Sequence, residues 1–129
     1  MVGIRSAKMA IIVTFAALGL GFYLFDSGTH ASGRSVDGTI AAPTGVNASD
    51  GEYANKIGIH WDTIRGANLY RIFRNTTNNS ATATDIGTTP ANFFFDTNTQ
   101  ASQPYFYWVR AENGATLSSM SSADQGTQA

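Results

Sequence analysis

The sequence predicts an all-β protein: a small antiparallel sandwich behind a hydrophobic N-terminal segment. Three observations lead there. Beyond residue 26 no stretch keeps a helical stripe, whereas apolar residues alternate at a period of two in several short runs. Clusters of Gly, Asn, Asp and Ser separate those runs, as turns separate strands. Beyond the first 25 positions the chain is rich in Thr, Ser, Asn, Gly and Ala with aromatics spaced along it, a texture that suits two packed sheets.

The elements follow in order. Arg5 and Lys8 precede an uncharged apolar stretch over residues 9–25, and Asp26 ends it. Basic residues, an apolar run and a polar region in that order make a secretory signal, and Thr29-His30-Ala31 offers small residues where a peptidase reads. The run is also just long enough, at the short end of roughly 17–25 residues, to stay in a bilayer as an anchor. Residues 1–31 are therefore expected to be a signal peptide or signal anchor, a hydrophobic N-terminal helix in either case, and membrane contact is expected only through residues 9–25. Residues 32–42 read as a flexible linker with little to bury.

A sandwich is expected over residues 43–127. Lys56-Ile57-Gly58-Ile59-His60-Trp61 puts Ile57, Ile59 and Trp61 on one face. Asn68 to Arg74 places Tyr70 and Ile72 together, and Phe93-Phe94-Phe95 is a short aromatic strand. Tyr105 to Ala111 sets Tyr105, Tyr107, Val109 and Ala111 on one side. The predicted core is thus Trp61, Tyr70, Ile72, Tyr105, Tyr107 and Val109.

These residues resemble fibronectin type III domains of the bacterial type. Pro43-Thr44-Gly45-Val46 is similar to that family's first strand, and Ile57 to Asp62 resembles its strand B with the central Trp. Gly66-Ala67-Asn68-Leu69-Tyr70-Arg71-Ile72-Phe73-Arg74 looks like the opening of strand C. Asp85 to Thr89 and Phe94 to Thr97 are similar to the C′ and E region, and Tyr105-Phe106-Tyr107-Trp108-Val109-Arg110-Ala111-Glu112-Asn113 to strand F. The resemblance implies an immunoglobulin-like antiparallel β-sandwich of about seven strands. It further implies a corner role for Tyr105, its hydroxyl bonding back to the backbone, and a last strand over Leu117 to Ser121.

Composition excludes several kinds of chemistry. With no cysteine there is no disulfide, no thiolate metal site and no lipid-bearing Cys. From Ser32 onward six basic residues face eight acidic ones, a net charge of −2, so no basic field exists for a nucleic acid. His60 lies opposite the inward face, the other histidine, His30, falls in the leader, and no metal or cofactor is expected. Asp50, Glu52 and Asp62 cluster in sequence, but they fall in predicted turns rather than in a cleft that would raise a carboxyl pKa. No nucleophile elbow or phosphate loop occurs, and no enzyme activity is expected.

Binding is the better expectation. If the core residues point inward, Arg71, Phe73, Phe106, Trp108 and Arg110 point outward on neighbouring strands. Exposed aromatics flanked by guanidinium groups are hot-spot chemistry and also stack on sugar rings. Cross-strand packing that merely stabilises the sheet would use the same residues. The sequence therefore points to a non-catalytic extracytoplasmic module, secreted or held at the cell surface, with a protein or glycan partner. The alternatives are a structural subunit that assembles with other chains or with its own copies, and an accessory fragment of a carbohydrate-active enzyme.

Overall fold

The computed structural model describes residues 38–129, so the leader and most of the linker expected from the sequence lie outside the described residues. The strands are β1 (Asn47–Ala48), β2 (Ile57–His60), β3 (Leu69–Asn75), β4 (Thr84–Thr89), β5 (Phe93–Asp96), β6 (Pro104–Asn113), β7 (Thr116–Met120) and β8 (Asp124–Thr127). A 3₁₀ turn, Ser80–Thr82, precedes β4, with the Asn79 side chain accepting from Ala81 N. One sheet runs β1-β2-β5, and the other runs β4-β3-β6-β7 with β8 also on β6. Every pairing between named strands is antiparallel.

The inner faces follow from the alternation. Ile57 and Ile59 from β2, with Trp61 just beyond it, meet Tyr70, Ile72, Tyr105, Tyr107, Val109 and Ala111 from the facing sheet. Trp61 and Tyr70 touch edge to face, their ring centres 5.3 Å apart. Ile40, in the stretch expected to be linker, packs against this core, and Pro43 is buried.

Two expectations are corrected. The hydroxyl bonded to backbone is that of Tyr70, which accepts from Ile64 N at 2.8 Å. Among the described residues the Tyr105 hydroxyl makes no hydrogen bond; its ring lies under the Arg74 guanidinium at 4.8 Å. Tyr105 sits at the start of β6, where the inward position that reaches the opposite sheet is Tyr107, and Tyr107 donates to Asp96 at 2.9 Å.

The last strand is likewise not one strand over Leu117 to Ser121. It begins at Thr116, breaks after Met120 and resumes at Asp124, which makes eight strands among the described residues, in keeping with the expected sandwich of about seven. β6 also shifts register between Arg110 and Glu112, opposite the interior of β7 and just before the break. Along this stretch two serine hydroxyls replace backbone acceptors: Ser118 Oγ takes the Ala111 N–H and Ser121 Oγ the Val109 N–H, each at 2.9 Å.

Candidate functional site: an exposed aromatic face

The residues expected to form a binding face do lie together on the outer side of the five-stranded sheet. Phe73 stands directly opposite Trp108, and Arg71 directly opposite Arg110. Their state differs from the expectation of exposed aromatics: Phe73 is 9% and Trp108 4% exposed. The Arg110 guanidinium lies over the Phe73 ring at 5.4 Å, while its Nε is buried without a hydrogen-bond partner. Two guanidinium groups facing each other across a strand pair would repel. Arg71 is instead held between Glu112, at 2.5 Å, and Asp85, at 2.7 Å. The bond to Glu112, and then that to Asp85, raises the Arg71 pKa further and fixes it as a cation. Phe106 is only half-buried.

Solvent-exposed aromatics occur on the other sheet. In β5 the alternation turns Phe94 toward the core and leaves Phe93 and Phe95 facing out, 49% and 43% exposed. Their ring centres are 5.7 Å apart, and Phe95 meets Tyr53 edge to face at 6.0 Å. The Lys56 ammonium caps two of these rings, 4.2 Å from the centre of Phe95 and 4.8 Å from that of Tyr53. Between Tyr53 and Phe95 the strand carries Gly58, where a Cβ would stand 3.2 Å from both rings. The missing side chain lets both rings pack onto the strand, and beside them lies a trough of about 180 Å³ rimmed by Asn47, Ser49, Glu52 and His60. His60, opposite Phe93 in the ladder, is exposed there.

A second groove, of about 370 Å³, flanks the opposite side of β5, between it and β4, with Phe94, Phe95, Ile86 and Arg74 on its walls. At its base Arg74 bonds Asp96 at 2.8 Å and the Asn98 carbonyl at 2.7 Å. Burial, and after it the Asp96 charge, pushes the Tyr107 hydroxyl far above the ordinary tyrosine pKa. This triad ties β3, β5 and β6 across the two sheets.

Asp50, Glu52 and Asp62 do not share a partner: the Asp62 carboxylate accepts from Thr44 Oγ1 at 2.9 Å, Glu52 lies on the trough rim, and at Asp50 it is the backbone that bridges to Thr127. Among the described residues no group of three His, Cys, Asp or Glu could hold a metal ion.

Sequence reasoning missed the β5 face, although one signal for it was present. A three-phenylalanine strand whose central ring points inward must turn the outer two to solvent. The contribution of Tyr53 and Lys56 carried no such signal, because both lie in an irregular loop before β2.

Two facing antiparallel sheets, of strand orders β1-β2-β5 and β4-β3-β6-β7/β8, define an immunoglobulin-like sandwich. Within that class, residues 38–129 have the fibronectin type III fold. A fibronectin type III-like protein from Clostridium thermocellum is similar over 70% of this chain and 95% of its own, with 25% identity and a TM-score of 0.64. Similar sandwiches also occur inside much larger chains. A β-1,2-glucanase from Parabacteroides distasonis matches over 76% of this chain and 14% of its own (24% identity, TM-score 0.59). The pectate lyase PelI of Erwinia chrysanthemi matches over 66% and 27% (23% identity, TM-score 0.57). No protein-family model matches the sequence, and no curated protein does.

Proposed function

We propose that the protein is a non-catalytic extracytoplasmic binding module, contacting a protein or carbohydrate through the outer face of β2 and β5. One observation carries this reading: Phe93 and Phe95 stand about half exposed, side by side, next to Tyr53. Leaving two large rings about half in water forgoes roughly 1 kcal/mol of burial each, and clustered exposed rings mark contact surfaces. The basic and apolar order of residues 1–25 supports export, as a cleaved signal or a retained anchor. Recurrence of similar sandwiches within a glucanase and a pectate lyase supports an accessory role beside catalytic domains as one setting for such a module.

The test is retention of the full-length chain on cell-envelope fractions. The double variant Phe93→Ser/Phe95→Ser should lose at least tenfold in retention while melting as the wild type does. Equal retention of the two forms would refute the aromatic-face reading.

The edge position of β5, which pairs only with β2, favours a second reading: a subunit that assembles through this strand. Solution mass separates the two, because assembly predicts a concentration-dependent oligomer that the same double variant dissolves.

A further inference from the structure

We propose that the trough over Gly58 binds a neutral polysaccharide, one pyranose ring of which lies against Phe95 and Tyr53. This rests on the reading of the β2–β5 face as a contact surface and adds the class of ligand.

The shape of the site argues for a chain of rings. Its volume of about 180 Å³ falls below the roughly 300–1,000 Å³ of pockets that enclose a small molecule. An open trough of that size seats one ring and leaves its neighbours outside, and Phe93, 5.7 Å from Phe95, offers the next contact along β5. Aromatic rings take up the apolar C–H faces of sugars, and glycine at position 58 lets the Tyr53 and Phe95 rings close over the strand as one wall of the trough.

The rim supplies what a hydroxyl-rich ligand needs. Ser49 Oγ already accepts from Gly58 N at 2.9 Å, which leaves its O–H free to donate outward. Asn47 donates and accepts, Glu52 accepts, and the exposed His60 ring can do either. Opposite charges on Glu52 and Lys56 leave the site neutral, with the Lys56 ammonium engaged by the two rings. A neutral ligand complements that balance, whereas a uronate would meet the Glu52 carboxylate.

A folded protein fits less well. Three partly exposed rings offer on the order of 300 Å², short of the roughly 800 Å² per partner of a stable interface. Within the sheet β2 has both edges occupied, by β1 and β5, so a peptide strand cannot add beside the trough.

The experiment is affinity electrophoresis of the full-length chain through gels containing laminarin or glucomannan, with polygalacturonate as the charged counterpart. Laminarin or glucomannan should retard the wild type in a saturable way and polygalacturonate should not. Phe95→Ala should weaken the retardation at least tenfold and Gly58→Ala several-fold, with the circular dichroism of both variants unchanged. No retardation by either neutral polymer, stronger retardation by polygalacturonate, or full retardation of Phe95→Ala would overturn the proposal. Loss of envelope retention on changing Phe93 and Phe95 without any polysaccharide binding would overturn the ligand class and leave the module reading standing with a protein partner. Retention indifferent to those changes would remove the module reading itself.

Discussion

Tyr107 shows how a single residue sets a condition on the whole domain. Its ring is fully buried, and its hydroxyl donates to Asp96 Oδ2, the same oxygen that Arg74 holds at 2.8 Å. Burial, then the Asp96 charge, raises its pKa far above the unfolded value near 10. The sign follows directly. Below about pH 10 the hydroxyl is protonated in both states and its contribution is complete. As pH rises further the unfolded chain releases that proton while the folded chain keeps it, so stability falls by up to about 1.4 kcal/mol per pH unit. Urea unfolding between pH 8 and pH 12 reads this out. Tyr107→Phe should start roughly 1–3 kcal/mol less stable, because Asp96 loses a buried donor, and should then decline less steeply than the wild type. Parallel declines for the two proteins would contradict this account.

Among the elements, the broken last strand shows where one-dimensional pattern reading stops. The core was legible because Ile57, Ile59, Tyr70, Ile72, Tyr107 and Val109 repeat at a period of two, which only a half-buried strand requires. The fold followed from the order of those runs. The β7–β8 break was not legible, since Ser118, Ser121 and Ser122 read as a turn or as a polar strand equally well. Which serines replace backbone acceptors depends on where β6 shifts register, a property of the pair and not of either strand. The β5 aromatics were legible as a strand, but their role depends on Tyr53, which the loop before β2 brings over. Ser118→Ala and Ser121→Ala should each cost roughly 1–3 kcal/mol by leaving a buried N–H unpaired. Amide hydrogen exchange localises the effect: Ala111 should exchange faster in the first variant and Val109 in the second, with the other amide less affected. Uniform acceleration across β6 in both would show that the serines only stabilise the fold globally.

For the domain as a whole, β8 closes the sandwich. It is hydrogen-bonded in the five-stranded sheet through β6, yet it also lies against β1 of the other sheet. Ala48 N donates to Asp124 Oδ2 at 2.8 Å, Gly51 N to the Thr127 carbonyl at 2.8 Å, and Thr127 N to the Ser49 carbonyl at 3.0 Å. Gly126 sits at the centre of this contact. A Cβ there would stand 2.7 Å from Ala48 Cβ, 2.8 Å from the Ser49 carbonyl oxygen and 3.0 Å from Ile57 Cγ2. Backbone and a short side chain cannot swing away, so Gly126→Ala must push β8 off the other sheet. Overpacking of this kind costs about 1–3 kcal/mol, and each kilocalorie lowers the melting temperature of a domain this size by roughly 4–8 °C. Part of the strain lies between two named atoms, which makes it separable. Ala48→Gly alone should destabilise by removing a buried methyl, but in the Gly126→Ala background it should cost less or even restore stability. A double-mutant cycle therefore predicts a favourable coupling of at least about 0.5 kcal/mol between the two positions. Additive losses would place the strain on the Ser49 carbonyl instead, and an unchanged melting temperature in Gly126→Ala would mean that β8 does not hold the two sheets together.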